Sequence, residues 1–270
     1  MPDYPTPSCT GVPAGTTLAK TVDGDYTATT DGEVIDSWHI TGDLVVEASD
    51  VVIKNTQVDG TVDNEVAQAS SFSISDSTVG TTSCVTGGWP SINGHDLTAN
   101  RVYLRGHQDG LDMVANNVTI VDSYLQPCYL PPEIVGSDGY HSDGVQDQCS
   151  TTCSNLTLTH DTIDAMAFYN GQPTGNSALN LGSEADGFNL QNVTLEDNMF
   201  LGGAYTTSLW WDAGASWTVT SNVWVADTWA YGPISAQDTC SHQAWSDNSI
   251  VNVDSGYHVT STVIGTDCID

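Results

Sequence analysis

Positive charge is almost missing from this chain: 4 Lys and Arg stand against 34 Asp and Glu, a formal net charge of −30 over 270 residues. A surface that acidic repels the phosphates of nucleic acid and of anionic membranes, so neither is expected as a partner. Long apolar runs are missing too, and nothing approaches the roughly 18 apolar residues that a membrane-spanning helix needs. The opening residues, MPDYPTPSCTGVPAGTT, contain neither a basic segment nor an apolar one, so a secretory leader is read as absent or already removed. No stretch is rich enough in Pro, Ser, Gly or like charge to serve as a linker, which favours one domain over residues 1–270. The seven Cys (9, 84, 128, 149, 153, 240 and 268) form no CxxC pair and no Cys/His group at zinc spacing.

What is present leans toward secretion. CSTTC at 149–153 has the spacing of a small disulfide loop, and Asn117, Asn155 and Asn192 each open an Asn-x-Thr sequon.

A template of apolar-x-apolar-x, a polar bend, and a return to apolar recurs along the chain. It reads VVIKNTQV from Val51, FSISDSTV from Phe72, LTANRVYL from Leu97, VTIVDSYL from Val118, LTLTHDTI from Leu156, VTLEDNMF from Val193 and WTVTSNVW from Trp217. Successive copies start 21, 25, 21, 38, 37 and 24 residues apart. Each copy predicts a short strand with alternate residues inward, a bend, and the start of another strand. The short spacings fit one rung of a parallel β-solenoid, and the long ones imply insertions on two adjacent rungs. A single rung cannot bury its inner face, so stacking must supply the core. The expected fold is all-β: a single-domain right-handed parallel β-helix of about eight rungs. Residues 1–30 would cap it and 240–270 would close it. A β-sandwich is disfavoured because Asp-Gly falls inside the repeated unit rather than between two alternating runs.

Aligned on that template, GHQDGLD (106–112) and YHSDGVQ (140–146) stack as one phrase on neighbouring rungs. Leu111, Val145, Leu179 and Leu209 should point inward, and Asp112, Gln146, Asn180 and Trp210 outward, about 4.8 Å apart per rung. Asp109, Asp143 and Ser177 form a second column, with His107 and His141 above it. Asp-Gly pairs also serve plain bends, where the carboxylate caps backbone amides, and a lone His beside a strand is commonly only a surface residue. Their convergence on one face, walled by the insertions, is what suggests a cleft. Tyr129, Tyr140, Phe168, Tyr169, Tyr205, Trp210 and Trp211 add flat rings suited to sugar faces, whereas Trp217 and Trp224 occupy core positions. A groove of carboxylates, imidazoles, amides and rings suits a polysaccharide laid along the ladder.

With TGVPAGTTL, VIDSWHITGDLVV and VVIKNTQVDG near its start and HSDGVQ and FLGGAYT further on, the chain resembles the pectate-lyase-like superfamily of right-handed parallel β-helix proteins. More narrowly it is similar to small secreted bacterial members over nearly its whole length. Some such members are alginate or glucuronan lyases, so the resemblance implies β-elimination on a uronate. That chemistry needs a cation for the carboxylate, a base for the C5 proton and an acid for the leaving oxygen. Arg105 and Arg101 are the candidate cations, His141 or His107 the base, and Tyr140 or Tyr205 the proton donor. Such lyases often use a Lys or Arg base, but no Lys lies beyond residue 54, so a lysine from later rungs is excluded. No cofactor is required on this reading unless Ca²⁺, held by Asp109, Asp112 and Asp143, replaces a missing cation. Tyr129, Tyr205, Asp112, Gln146, Asn180, Trp210 and Arg101 are the expected substrate contacts of a monomeric secreted enzyme.

Two alternatives stand beside this. An inverting glycoside hydrolase would use Asp112 and Asp143, or Asp109 and Asp143, as acid and base, although the polygalacturonase-type Asn-Thr-Asp and Arg-Ile-Lys are absent. A non-catalytic glycan- or ice-binding solenoid would use the Thr row at 98, 119, 157, 194 and 218.

Overall fold

The computed structural model describes the chain apart from residues 1–2, 68, 137–140, 167, 170–171, 174, 183–189, 211–214, 237–242 and 267–270, and apart from the side chains of 168, 169, 172 and 173. The chain moves in rotation through three large sheets of 11, 9 and 9 strands, named here sheet 1, sheet 2 and sheet 3 in that order. Leu97–Asn100 lies in sheet 3, Tyr103–Arg105 in sheet 1 and Leu111–Met113 in sheet 2; the next circuit repeats this with Val118–Val121, Tyr124–Gln126 and Asp143–Asp147. Each strand pairs in parallel with its counterpart one circuit on. The fold is therefore all-β and solenoid-like, compatible with a parallel β-helix. Among the described residues, the one antiparallel pairing in the three large sheets joins Ser249–Val253 to Val259–Gly265, at one edge of sheet 1.

Each template copy begins as a strand of sheet 3, and its bend is the corner into sheet 1. Ser37, Asn55, Asp76, Arg101, Asp122, His160, Asp197, Ser221 and Asp247 all sit at that corner with φ between 48° and 60°. Left-handed backbone favours Asn and Asp, whose short polar side chains bond locally, which explains the polar bend in the repeat. At most of these corners the next residue turns inward and is polar: Thr56, Ser77, Ser123, Asp161, Asn198 and Asn222 are fully buried, whereas Val102 takes that place after Arg101. Each polar one satisfies the backbone of its neighbour. The Ser123 amide donates to Asp161 Oδ1 (2.8 Å), the Asp161 amide to Asn198 Oδ1 (2.9 Å), and the Asn198 amide to Asn222 Oδ1 (3.0 Å).

Inside the rungs the apolar positions stack like on like. Ile53, Ile74, Ala99, Ile120, Leu158, Leu195 and Val219 form one continuous file from sheet 3, none more than 1% exposed. Burying each of the larger ones contributes about 1.5–3 kcal/mol, available only when a neighbouring rung covers it. Trp217 and Trp224 are buried as expected. The two long spacings become loops at 127–142 and 166–176, both between sheet 1 and sheet 2. A third loop, 80–91, leaves the same corner, and the Cys84–Cys128 disulfide ties it to the 127–142 loop two circuits on. Cys149 and Cys153 pair as their spacing suggested, while Cys240 and Cys268 lie outside the described residues.

The sequon asparagines have a structural explanation. Asn117, Asn155 and Asn192 occupy left-handed positions at the corner entering sheet 3. There Asn155 donates to Asn117 (2.7 Å) and Asn192 to Asn155 (3.2 Å), while the following Thr of each sequon lies in register on the outer face. Corner geometry and strand preference together write Asn-x-Thr.

Candidate functional site

The register of sheet 2 confirms the stacking of the repeated phrase and lengthens the polar column. Leu111 pairs with Val145 and Val145 with Leu179, while outside them Asp63, Asn93, Asp112, Gln146, Asn180, Ser208 and Ser235 follow one another strand by strand. Trp210 is not in this column. The pairing of Asn180 with Ser208 is offset by two residues from the expected one, so Thr207 rather than Leu209 stacks on Leu179. A two-residue slip preserves the alternation of inward and outward side chains, so periodicity alone does not reveal it.

Three carboxyl groups gather where the phrase repeats, each in a different setting. Asp109 is 2% exposed, and its Oδ1 accepts the Asp143 amide at 2.7 Å, the capping role that Asp-Gly bends often serve. Burial, then repulsion from Asp112 and Asp143, pushes its pKa up to about 9. Asp143 is fully buried, and burial pushes it up as well; against this, Ser177 donates to it at 2.5 Å, Asn176 at 3.0 Å and Asn180 at 3.3 Å. Asp112 has none of that support. Its Oδ1 is buried without a hydrogen-bond partner, and burial, then Asp143 and Glu65, push its pKa up to about 7.

Asp112 also differs in what it faces. It lines an open cleft of about 440 Å³ with Glu65, Trp89, Asn93 and Gln148, Trp89 coming from the 80–91 loop. Asn93 Nδ2 donates to Glu65 Oε2 (2.9 Å) and to Asp63 Oδ1 (3.3 Å), holding two more acidic side chains at the strand next to Asp112. One strand beyond Asp112, Asp147 is pushed up to about 6 by burial and accepts the Gly182 amide at 2.7 Å.

Glu65, Asp63, Asn93, Trp89 and Asp147 were not among the residues expected from sequence. The interval between a sheet 2 strand and the next template copy is irregular: Ile92 leads Leu97 by five residues and Val145 leads Leu156 by eleven. The signal that would have found Asp63 and Asn93 is the apolar-polar step of Val62-Asp63 and Ile92-Asn93, matched to Leu111-Asp112.

Other expected residues are dispersed. His107 is only 3% exposed, with both ring nitrogens unbonded beneath the backbone of Asp59, Gly60 and Trp89, and burial lowers its pKa. Of the two histidines expected beside the cleft, His141 is exposed, and its carbonyl accepts Gln108 Nε2 (3.1 Å). Arg101 belongs to the sheet 3 to sheet 1 corner, where Asp76 grips it through Nε and Nη2 at 2.7 Å each. Its place in the corner repeat takes it away from the cleft. Arg105 and Tyr129 line a different hollow on the sheet 1 side. Tyr205 stands two strands past Asp143, its ring 5.7 Å from that of Tyr231. Tyr140, like Trp211, lies outside the described residues, as do the side chains of Phe168 and Tyr169.

Among the described residues no three His, Cys, Asp or Glu side chains group as a metal would require. Asp109 and Asp143 use their oxygens on amide and hydroxyl donors instead. No helix among the described residues is long and apolar enough to cross a membrane.

Comparison with family models, with curated proteins and with solved structures found no match to this chain. The assignment of class therefore rests on fold and site geometry.

Proposed function

We propose that this chain is a secreted, right-handed parallel β-helix enzyme of the pectate-lyase-like kind, a single domain that cleaves a polysaccharide lying along the outer face of sheet 2. The observation that carries the reading is Asp112: a buried carboxyl with an unpaired oxygen, pushed up to about 7, at the wall of a cleft that also holds Glu65. A carboxyl that keeps its proton near neutral pH is what a general acid needs, and a second carboxylate across a gap of about 6.5–9.5 Å completes an inverting pair. Asp112 gives its proton to the glycosidic oxygen as the C1–O bond breaks. Water attacks C1 from the opposite side and yields its proton to the Glu65 carboxylate. Trp89 offers a ring to a sugar face, and Asn93, Gln146 and Asn180 offer amides to sugar hydroxyls along the ladder. The pair differs from the Asp112/Asp143 and Asp109/Asp143 pairs expected from sequence because Asp143 and Asp109 are committed to internal donors.

β-Elimination, which the family resemblance favours, has support among the described residues from Arg105, whose hollow shares no lining residue with the acidic cleft. A non-catalytic solenoid has the threonine row, which is in register on sheet 3 from Thr98 to Thr218. The column beside it runs Asn100, Val121, Thr159, Glu196 and Thr220, so no second threonine row completes a regular lattice. The two disulfides favour an oxidising compartment.

The test is a panel of neutral and acidic polysaccharides assayed for both new reducing ends and the ultraviolet absorbance of unsaturated uronate. Reducing ends without that absorbance, lost in Asp112→Asn, support the proposal. Unsaturated product would replace it with elimination, and binding without turnover would replace it with a glycan-binding module.

A further inference from the structure

The outer face of sheet 1 carries a second apolar cluster, apart from the stacked core. Met199, Leu201, Val223, Val225 and Val251 are buried there, while Phe200 and Trp224 between them point the other way, into the solenoid. Segments distant in sequence cover the cluster: Tyr4, and with it Val253, Tyr257 and Val259. Asp3 joins the two, its Oδ2 accepting the Val259 amide at 2.9 Å.

Residues 3–12 run from this patch as a strap, without forming a strand. At one end the Tyr4 hydroxyl donates to Asp197 Oδ1 (3.4 Å); at the other the Gly11 amide donates to the Arg101 carbonyl (2.9 Å) and the Val12 amide to Thr78 Oγ1 (3.1 Å). Asp197, Arg101 and Thr78 belong to different circuits, so the strap lies across the rungs beside the corner between sheet 3 and sheet 1.

His160, one of the left-handed corner residues, meets the strap directly. Its Nδ1 lies 2.7 Å from Asp122 Oδ1 and its Nε2 3.1 Å from the Asp3 carbonyl oxygen, and its ring stacks on that of Tyr4 with centroids 5.8 Å apart. A neutral imidazole has one N–H and can serve only one of these two oxygens; the imidazolium donates to both. The charged groups around it are acidic: Asp122 one rung before it, Asp197 one rung after it, and Asp3 on the strap. Asp161, its chain neighbour, is turned into the inner ladder, and His258, beside Val259, pairs with Asp254 at 3.1 Å. Burial opposes the charged form of His160, but the hydrogen bonds to Asp122 and Asp3 and the attraction of Asp197 outweigh it and raise the pKa above the ordinary 6.5.

We propose that residues 3–12 are a proton-latched strap: the imidazolium of His160 clips the segment over the outer apolar patch of sheet 1 at mildly acidic pH, and loss of its proton loosens the clip. Since the folded value is the higher one, the clip is complete below about pH 6.5 and is lost as pH rises through the folded pKa. The strap contributes nothing to the lining of the Asp112 cleft, so the latch stands or falls independently of the hydrolytic reading.

The experiment is hydrogen–deuterium exchange of the intact chain at pH 5.5 and pH 8.5, expressed as protection relative to the intrinsic rate at each pH, with an NMR titration of the His160 ring. The amides of residues 3–12 and of Val259 should lose about tenfold in protection at the higher pH, the scale of one charge-assisted hydrogen bond. The amides of Val118–Val121, within sheet 3, should keep theirs. His160→Asn, which suits a left-handed corner as Asn55 does, should show the lower protection at both pH values. His258→Asn should keep the dependence of the unaltered chain. Strap protection that is equal at the two pH values, a loss shared by Val118–Val121, or a His160 pKa at or below 6.5 would each overturn the latch, and all three are read on the unaltered chain. A pH dependence that survives in His160→Asn or vanishes in His258→Asn would overturn the choice of residue.

Discussion

Asp112 and Asp161 are both carboxyls that burial pushes upward, and each keeps one oxygen without a partner. Their settings are opposite. Asp161 is fully buried in the corner ladder between Ser123 and Asn198, where neighbouring copies carry asparagine and each Asn Nδ2 donates to a main-chain carbonyl. Asp112 lines an open cleft that Glu65 also lines. The comparison teaches that a displaced pKa by itself marks burial, and that access to a ligand separates a reactive carboxyl from a misfit rung in a structural ladder.

The largest effect that would break this comparison is on turnover. Asp112→Asn should lower kcat by about 10²–10⁴-fold, the range for loss of a general acid, while Asp161→Asn should leave it unchanged. The rate should fall as pH rises through about 7, where Asp112 gives up its proton. An Asp112→Asn enzyme of full activity, or an Asp161→Asn enzyme without any, would remove the distinction.

Next in size is the tether behind Trp89. Reducing Cys84–Cys128, or replacing both residues by Ser, frees a 44-residue loop and should lower unfolding stability by about 2–4 kcal/mol in chemical denaturation. KM should rise more than kcat falls, since the disulfide holds cleft walls rather than reacting groups.

Smaller, and opposite in sign, is the stabilisation expected from Asp161→Asn. An amide there can donate where the carboxylate cannot, which should add about 1–3 kcal/mol at pH 8. The folded-state pKa of Asp161 lies above its unfolded value, so below about pH 4 both states hold the proton and the wild-type chain suffers no penalty. The penalty grows as pH rises above that point until the folded carboxyl itself ionises. Urea unfolding at pH 3 and pH 8 should therefore show the variant's advantage only at the higher value; an equal gain at both would point to packing instead.

The smallest effect belongs to the outer asparagine ladder. Asn155→Gly keeps the left-handed backbone and loses two exposed hydrogen bonds, so it should shift stability by less than about 1 kcal/mol. A larger loss would mean the outer ladder carries load comparable to the inner one.

Much of this fold was legible because rungs repeat in residue type as well as spacing. The apolar pair of each template copy must face inward, and the polar residue after it must bend, so strands, corners and the register of Leu111 with Val145 follow from alternation and turn chemistry. The candidate site was legible only in part. Asp112, Gln146 and Asn180 sit within strands, where alternation dictates direction, and they fall where the pattern places them. Arg105 ends a strand of sheet 1 and His107 lies in the corner just after it, where the backbone turns and alternation no longer specifies which side a residue faces; His107 is sealed in, whereas Arg105 opens onto the sheet 1 side. Glu65 and Trp89 come from loops whose lengths vary from circuit to circuit, and only folding brings them to Asp112.

The left-handed corners bear on the acidity of the whole molecule. Asp50, Asp76, Asp96, Asp122, Asp197, Asp227 and Asp247 all occupy positive-φ positions, where few residues other than glycine and asparagine are comfortable. Part of the anionic character of this protein is thus a by-product of how often its backbone must turn, and an asparagine-cornered version would be markedly less acidic while winding along the same path.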